Sequence, residues 1–266
     1  RRHRSGPCVQ RRPFTVFPRK LILAVLTVPP SKAASKSRRP KASTRLFAHD
    51  RSYSRGRVAG VDEAGRGCLA GPLVAAAVSL DLDRMSRRAR RALSDLNDSK
   101  KLSEQRREDL AAALMCFADQ IVVVSASSVT IDRDGLHLTN LRLMRDALAR
   151  LDPTPDVCLV DGFSLGSDAP DHVQVVGGDS RSATIAAASV VAKTTRDRLM
   201  RGPAASAYPE FGFAKHVGYS TSEHQAALRS GASLSPLHRR SFQSVAYPAL
   251  KLFGSADGAS SSAPGR

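Results

Sequence analysis

VAGVDEAGRGCLAGPLVAAAV, residues 58–78, sets two short runs of Val, Ala and Leu on either side of a glycine-rich turn. That pattern predicts two antiparallel strands, Val58–Asp62 and Leu73–Leu80. A strand followed by Gly65-x-Gly67 also invites comparison with a dinucleotide-binding turn. Such a turn needs a helix after its glycines, whereas Gly71-Pro72 here leads into a second strand, so that reading is rejected. What remains is a loop whose glycines let backbone approach a ligand closely, next to two carboxylates, Asp62 and Glu63. Adjacent residues of a regular strand point to opposite faces. These two acids converge only if the strand ends there, which Gly65 allows.

Outward from this stretch, Ser103 can cap a helix whose apolar positions Leu110, Ala113, Leu114 and Phe117 follow 3.6-residue spacing. Ile121–Ala126 reads as a third strand, and Leu141, Met144, Leu148 and Leu151 mark another helix. Asp156–Asp161 (DVCLVD) and His172–Val176 read as the fourth and fifth strands. Thr184–Met200 is an Ala-rich helix and Thr221–Leu228 a shorter one. Strands first, then strands alternating with helices, predict an α/β fold: a mixed five-stranded sheet with helices on both faces, in one domain from about residue 58 to 250.

Three further acids stand out by position. Asp161 follows four apolar strand residues, where a carboxylate is either a helix cap or a site residue. Asp179, in GGDSRS, lies just before the Ala-rich helix, as a cap, a turn residue or a site residue. Asp197, four residues after Lys193, reads as its ion-pair partner. Asp62, Glu63, Asp161 and Asp179 gathered at strand ends and a helix start would repel one another, and a hard cation such as Mg²⁺ relieves that repulsion.

The net charge of +17 is unevenly placed. Residues 1–57 carry 16 Lys/Arg against one acid, Asp50, whereas residues 58–266 carry 25 against 23. The body is therefore nearly neutral and the excess charge belongs to one segment. Residues 1–57, rich in Arg, Ser and Pro, show no period of 2 or 3.6 and are expected to be a disordered basic extension. Its apolar patch Leu21–Val28 resembles a signal peptide's short apolar region, and its composition a transit peptide. The plainer reading is a solvated basic tail, with nucleic-acid tethering or targeting as the alternatives. Residues 251–266, Ser/Gly/Ala-rich, are expected to be a disordered tail.

With 42% apolar residues, wholesale disorder is excluded, and no apolar run approaches the length of a membrane span. Cys8, Cys68, Cys116 and Cys158 form no CxxC pair and no metal-ligand spacing with His; they are expected to be reduced, Cys116 on an apolar helix face and Cys158 in an apolar strand. A cytoplasmic location fits that chemistry. The seven histidines include no HExxH, so a zinc hydrolase has no support.

Taken together, VAGVDEAGRGCLAGPLVAAAV (58–78), NDSKKLSEQRRE (97–108), VCLVDG (157–162), GGDSRSATIAAASVVAKTTRD (177–197), FGFAKHVGYSTSEHQAAL (211–228) and SPLHRRSF (235–242) resemble, in order, the type 2 ribonuclease H (ribonuclease HII) family. The resemblance implies a ribonuclease H-like fold with a C-terminal helical segment. It implies an endonuclease that hydrolyses the RNA strand of RNA–DNA hybrids and cuts 5′ to ribonucleotides embedded in duplex DNA, leaving 3′-hydroxyl and 5′-phosphate ends. Asp62, Glu63, Asp161 and Asp179 match the family's catalytic carboxylates, which bind Mn²⁺ or Mg²⁺, two ions in all. On that resemblance, one ion would activate the attacking water and the other would stabilise the leaving 3′ oxygen. Gly65, Arg66 and Gly67 match the loop whose backbone reads the ribose 2′-hydroxyl. Tyr219 matches the tyrosine that stacks at the RNA–DNA junction. Ser99, Lys100, Lys193 and Arg196 match phosphate contacts, although Lys193 and Arg196 read equally well as solvated helix charges. The protein is expected to act as a monomer without a membrane partner, and the sequence assigns no replication-clamp partner to either tail. Ribonuclease HIII shares the carboxylates, but Arg66 and the patternless residues 1–57 argue against it. A non-catalytic basic nucleic-acid-binding protein is disfavoured by the neutral body and the placed acids.

Overall fold

A computed structural model describes residues 42–230 and 234–246. The patch Leu21–Val28, Cys8 and the tail expected from residue 251 lie outside the described residues. The chain runs through α1 (Ala42–Tyr53), β1 (Arg57–Ala64), β2 (Leu73–Asp81), α2 (Arg87–Ala92), α3 (Glu104–Phe117), β3 (Gln120–Ala126), α4 (Ser128–Asp134), α5 (Leu136–Ala149), β4 (Val157–Asp161), β5 (His172–Val175), α6 (Ala183–Leu199) and, after several short helical turns, α7 (Ser222–Arg229). The five strands form one sheet in the order β3-β2-β1-β4-β5. The β1–β2 and β2–β3 pairs are antiparallel, and β1–β4 and β4–β5 are parallel. This is the mixed sheet expected. None of the described helices is long and apolar enough to cross a membrane.

Period-2 alternation gives the sheet two apolar faces. Val58, Val74, Ala76, Val78, Leu80 and Leu159 pack beneath α6, with Leu110 and Leu114 of α3. Ala59, Val61, Ala75, Ala77, Cys158 and Val160 pack against Leu143, Met144, Ala147 and Leu148 of α5 on the other side. The many alanines of β2 and α6 let sheet and helix approach closely. At Gly60 the approach is closest: a Cβ there would stand 2.2 Å from the Thr184 carbonyl carbon and 2.3 Å from the Ile185 nitrogen. Backbone cannot yield as a side chain does. Gly60→Ala should therefore destabilise the fold by about 3 kcal/mol or more, the upper end of overpacking costs, read as a lowered urea midpoint. An unchanged midpoint would mean that α6 shifts freely on the sheet.

Two expectations are corrected. Residues 1–57 are not uniformly structureless: α1 occupies 42–53, and β1 begins at Arg57. In α1, Ser43, Leu46, Phe47 and Asp50 are buried at i, i+3, i+4 and i+7, one helical stripe. Leu46 and Phe47 join the α6-side core. The Ser43 hydroxyl donates to the Ser94 carbonyl at 2.6 Å, and Asp50 Oδ2 accepts the Thr184 N–H at 2.8 Å at the start of α6. Second, β1 does not end at Asp62. It stays paired with β2 through Ala64, with Asp62 opposite Ala76 and Glu63 opposite Ala75. Cys116, expected on an apolar face, is exposed, whereas Cys68 and Cys158 are buried.

Candidate active site

Because β1 remains extended, Asp62 and Glu63 face opposite sides of the sheet. Asp62 follows Val58 and Gly60 on the α6 side; Glu63 follows Ala59 and Val61 on the α5 side. The parallel register pairs Val61 with Val160. One residue further, Asp62 and Asp161 come side by side at the C-terminal ends of adjacent strands, and Leu159 shows that Asp161 shares the α6-side face. Asp179 sits in the turn of helix Gly178–Ser180 that leads into α6. The Gly178 N–H donates to Asp161 Oδ1 at 2.6 Å, which ties that turn to the end of β4. Sheet and helix thus bring the acids to one end of the fold.

Burial is the main force on these groups. Asp62 is held well above the ordinary carboxylate range, first by burial and then by the charges of Glu63 and Asp161; the Ser189 hydroxyl and the Glu63 N–H oppose the rise. Glu63 is raised by burial, against the Arg66 guanidinium 3.7 Å away and the Asn140 side chain. Asp161 is raised by burial, against the Gly178 N–H, with Asp179 adding to the rise. Lys100, exposed, places Nζ 3.5 Å from Asp179; burial lowers its pKa, but Asp179, Asp98 and Asp62 outweigh that and raise it.

The donor set suits a hard divalent cation. It is all carboxylate oxygen, the acids raise one another's pKa, and Glu63 Oε2 is buried without a hydrogen-bond partner. Among the described residues no three His, Cys, Asp or Glu side chains already stand as a formed metal cage. The residues that would hold the ion are Asp62 and Asp161 on one face, with Asp179 above them and Glu63 across the strand.

The loop after β1 lies beside these acids. Gly65 adopts φ +99°, and a Cβ there would strike Arg196 Nε at 2.2 Å. Gly67 is different: a Cβ there would meet nothing within 4 Å, so its outer side is open. Tyr219, a residue 36% exposed, forms a backbone bridge with Cys68, and its ring centroid lies 5.1 Å from Lys193 Nζ. The structure therefore brings the loop and the tyrosine together. Burial pushes the Tyr219 phenol up to about 12, so it is neutral at physiological pH.

The phosphate contacts fare differently. Lys100 has an exposed side chain and pairs with Asp179. Ser99 is buried, its hydroxyl 2.9 Å from that of Ser189, so it stands behind Asp62. Lys193 bonds both oxygens of Asp197, at 2.5 and 2.7 Å, which bears out the ion pair. Arg196 is fully buried and donates to the carbonyls of Pro72, Val217 and Ala70, so it cannot reach a phosphate. Residues not foreseen also appear. Asn140 faces Glu63 from α5. Phe163 lies 4.7 Å beneath the Arg66 guanidinium. Arg239 donates to the Arg66 and Gly71 carbonyls. The signal for Arg239 was its place in SPLHRRSF, but a lone arginine does not declare its partners.

A central antiparallel trio extended by parallel strands, with carboxylates at the C-terminal ends of β1 and β4, defines a ribonuclease H-type hydrolase. The ribonuclease H2 of Pyrococcus horikoshii superposes with a TM-score of 0.63 at 27% identity, over 73% of this chain and 98% of that one. The chain matches the ribonuclease HII family over residues 59–245. It is 47% identical to a ribonuclease HII of Frankia casuarinae over 206 residues, 76% of this chain and 82% of that protein. It is 45% identical to a ribonuclease HII of Mycobacterium ulcerans over 201 residues, 76% and 81% respectively. The chain belongs to the ribonuclease HII family.

Proposed function

We propose that this protein hydrolyses the RNA strand of RNA–DNA hybrids and cuts 5′ to ribonucleotides embedded in duplex DNA, with Asp62, Glu63, Asp161 and Asp179 holding two divalent cations, Mg²⁺ or Mn²⁺. The observation that carries the reading is the placement of buried Asp62 beside half-buried Asp161 at adjacent strand ends, where the Asp161 charge adds to the raised pKa of Asp62, next to the loop whose Gly67 has an open side. When bound, divalent cations supply charge neutralisation at phosphorus and activation of water. The chain's own residues do the rest. The carboxylates fix where the scissile phosphate can sit. The backbone from Gly65 to Gly67 approaches the ribose, whose 2′-hydroxyl both donates and accepts. Lys100 meets the phosphate next to Asp179, and Tyr219 offers its exposed ring to the nucleotide on the DNA side of the junction. The direct test is hydrolysis of a hybrid by the full chain with and without Mg²⁺ or Mn²⁺; cation-independent hydrolysis would remove the carboxylates from the chemistry.

Tyr219 separates junction reading from chemistry. Tyr219→Ala removes a stacking face, worth on the order of 1–3 kcal/mol, so cleavage at a single embedded ribonucleotide should fall roughly ten- to a hundredfold. A long hybrid, with no junction at most positions, should lose less, and Tyr219→Phe should fall between parent and Ala. Rates on the two substrates, side by side, check this. An equal loss on both would assign Tyr219 to the fold or to general binding.

A further inference from the structure

The loop from Arg66 to Pro72 presents an unusual balance of backbone groups. Five of its seven carbonyls, those of Arg66, Leu69, Ala70, Gly71 and Pro72, accept from two arginines. Arg196 donates from Nε to Pro72 O and from Nη2 to Ala70 O, each at 2.9 Å. Arg239 donates from Nε and Nη2 to Gly71 O, at 3.2 and 3.0 Å, and from Nη1 to Arg66 O at 3.0 Å. The Arg239 N–H takes the Leu69 carbonyl at 2.9 Å. The later amides are also used: Leu69 and Ala70 donate to Gly218 O, and Gly71 to Leu237 O. The N–H groups of Arg66 and Gly67, by contrast, make no hydrogen bond among the described residues.

Both arginines are fully buried, and neither pairs with a carboxylate among the described residues. Asp197, next in sequence to Arg196, faces Lys193, Arg107 and Arg201. Asp132 accepts from the Arg240 and Ser241 backbone. A buried charge without a paired acid is costly unless its donors are well satisfied. Here they are satisfied by loop carbonyls, so the guanidiniums and the loop conformation depend on each other. Arg196 extends the same hold to the tyrosine turn through Nη1 to Val217 O at 2.9 Å. Val217 sits at φ +44°, a conformation strained for a β-branched residue, just before Gly218 and Tyr219.

We infer that Arg196 and Arg239 are positioning residues for ribose recognition: by drawing the loop carbonyls inward they leave the Arg66 and Gly67 N–H groups as preset donors to the 2′-hydroxyl, and Arg196 locks the Tyr219 turn to the same frame. The inference rests on the function proposed above. Lysine keeps each charge but cannot form the fork, so Arg239→Lys and Arg196→Lys separate charge from geometry.

The experiment measures binding of the full-length parent and both variants, in EDTA to prevent cleavage, to two duplexes of one sequence: all-DNA, and with one ribonucleotide. Thermal melts establish folding. The parent should prefer the ribonucleotide duplex. Folded variants should bind all-DNA duplex as the parent does but lose about tenfold of the preference, a hydrogen-bonding loss of about 1.4 kcal/mol. If folded Lys variants keep the preference within about twofold, the inference fails while the function stands. If the two duplexes bind the parent equally, the function reading fails and takes the inference with it. If one variant does not fold, the other decides; if neither folds, the forks hold the fold rather than the loop, and the inference is overturned.

Discussion

Asp62→Asn is expected to abolish cleavage, by roughly a thousandfold or more in rate, equivalent to about 4 kcal/mol of barrier, while leaving the protein folded. The change removes charge but almost no volume at a position only 6% exposed. Without a cation, the fold should hold or gain stability. Asp62 has a native pKa well above its ordinary 3.8, because burial and the Glu63 and Asp161 charges penalise its ionised form. A raised carboxylate pKa means that ionisation costs stability at neutral pH. The cost shrinks as pH falls through the raised native value and is gone below the unfolded value of 3.8. The Asn variant should therefore melt at or above the parent's temperature at neutral pH, and the difference should close toward roughly pH 4. Added Mg²⁺ should stabilise the parent more than the variant. Parent-like cleavage by the variant would refute the carboxylate assignment.

The second large effect concerns α1. A chain starting at Ser54 is expected to be about 4–7 kcal/mol less stable than one starting at Ala42, much of a typical domain's total. Leu46 and Phe47 each contribute about 1.5–3 kcal/mol by burial. Asp50 adds about 1 kcal/mol through its bond to the Thr184 N–H at the start of α6. That bond also steadies the helix whose first turn adjoins Asp179. Urea midpoints of the two truncations test this; equal midpoints would return α1 to the dispensable extension.

The contrast between these two sites shows what the sequence made legible. The strands and the α6 segment could be read because their apolar runs, though short in the strands, are bounded by Gly, Pro or acids. The carboxylates stood out because acids closing apolar strands need a reason. Helix α1 was hidden because two of its four buried stripe positions, Ser43 and Asp50, are polar, so the stripe does not register as hydrophobic periodicity. The opposite facing of Asp62 and Glu63 was hidden because Gly65 looked like a strand terminus, while β2 pairing carries the strand to Ala64. Arg196 was read as a phosphate contact by resemblance or as a solvated helix charge, and its burial among carbonyls fits neither. Its carbonyl partners come from loops distant in sequence, which no local pattern encodes.

The central claim is that these carboxylates serve cation-dependent hydrolysis directed by a ribose hydroxyl. One measurement meets it most directly: the products formed by the full chain from a duplex with a single embedded ribonucleotide, against the matched all-DNA duplex, with and without Mg²⁺. The account predicts one cut, 5′ to the ribonucleotide, only with the cation, leaving a 3′-hydroxyl and a 5′-phosphate, with the all-DNA duplex intact. Cutting without any divalent cation, or 2′,3′-cyclic phosphate ends showing that the ribose hydroxyl itself attacked, would contradict it.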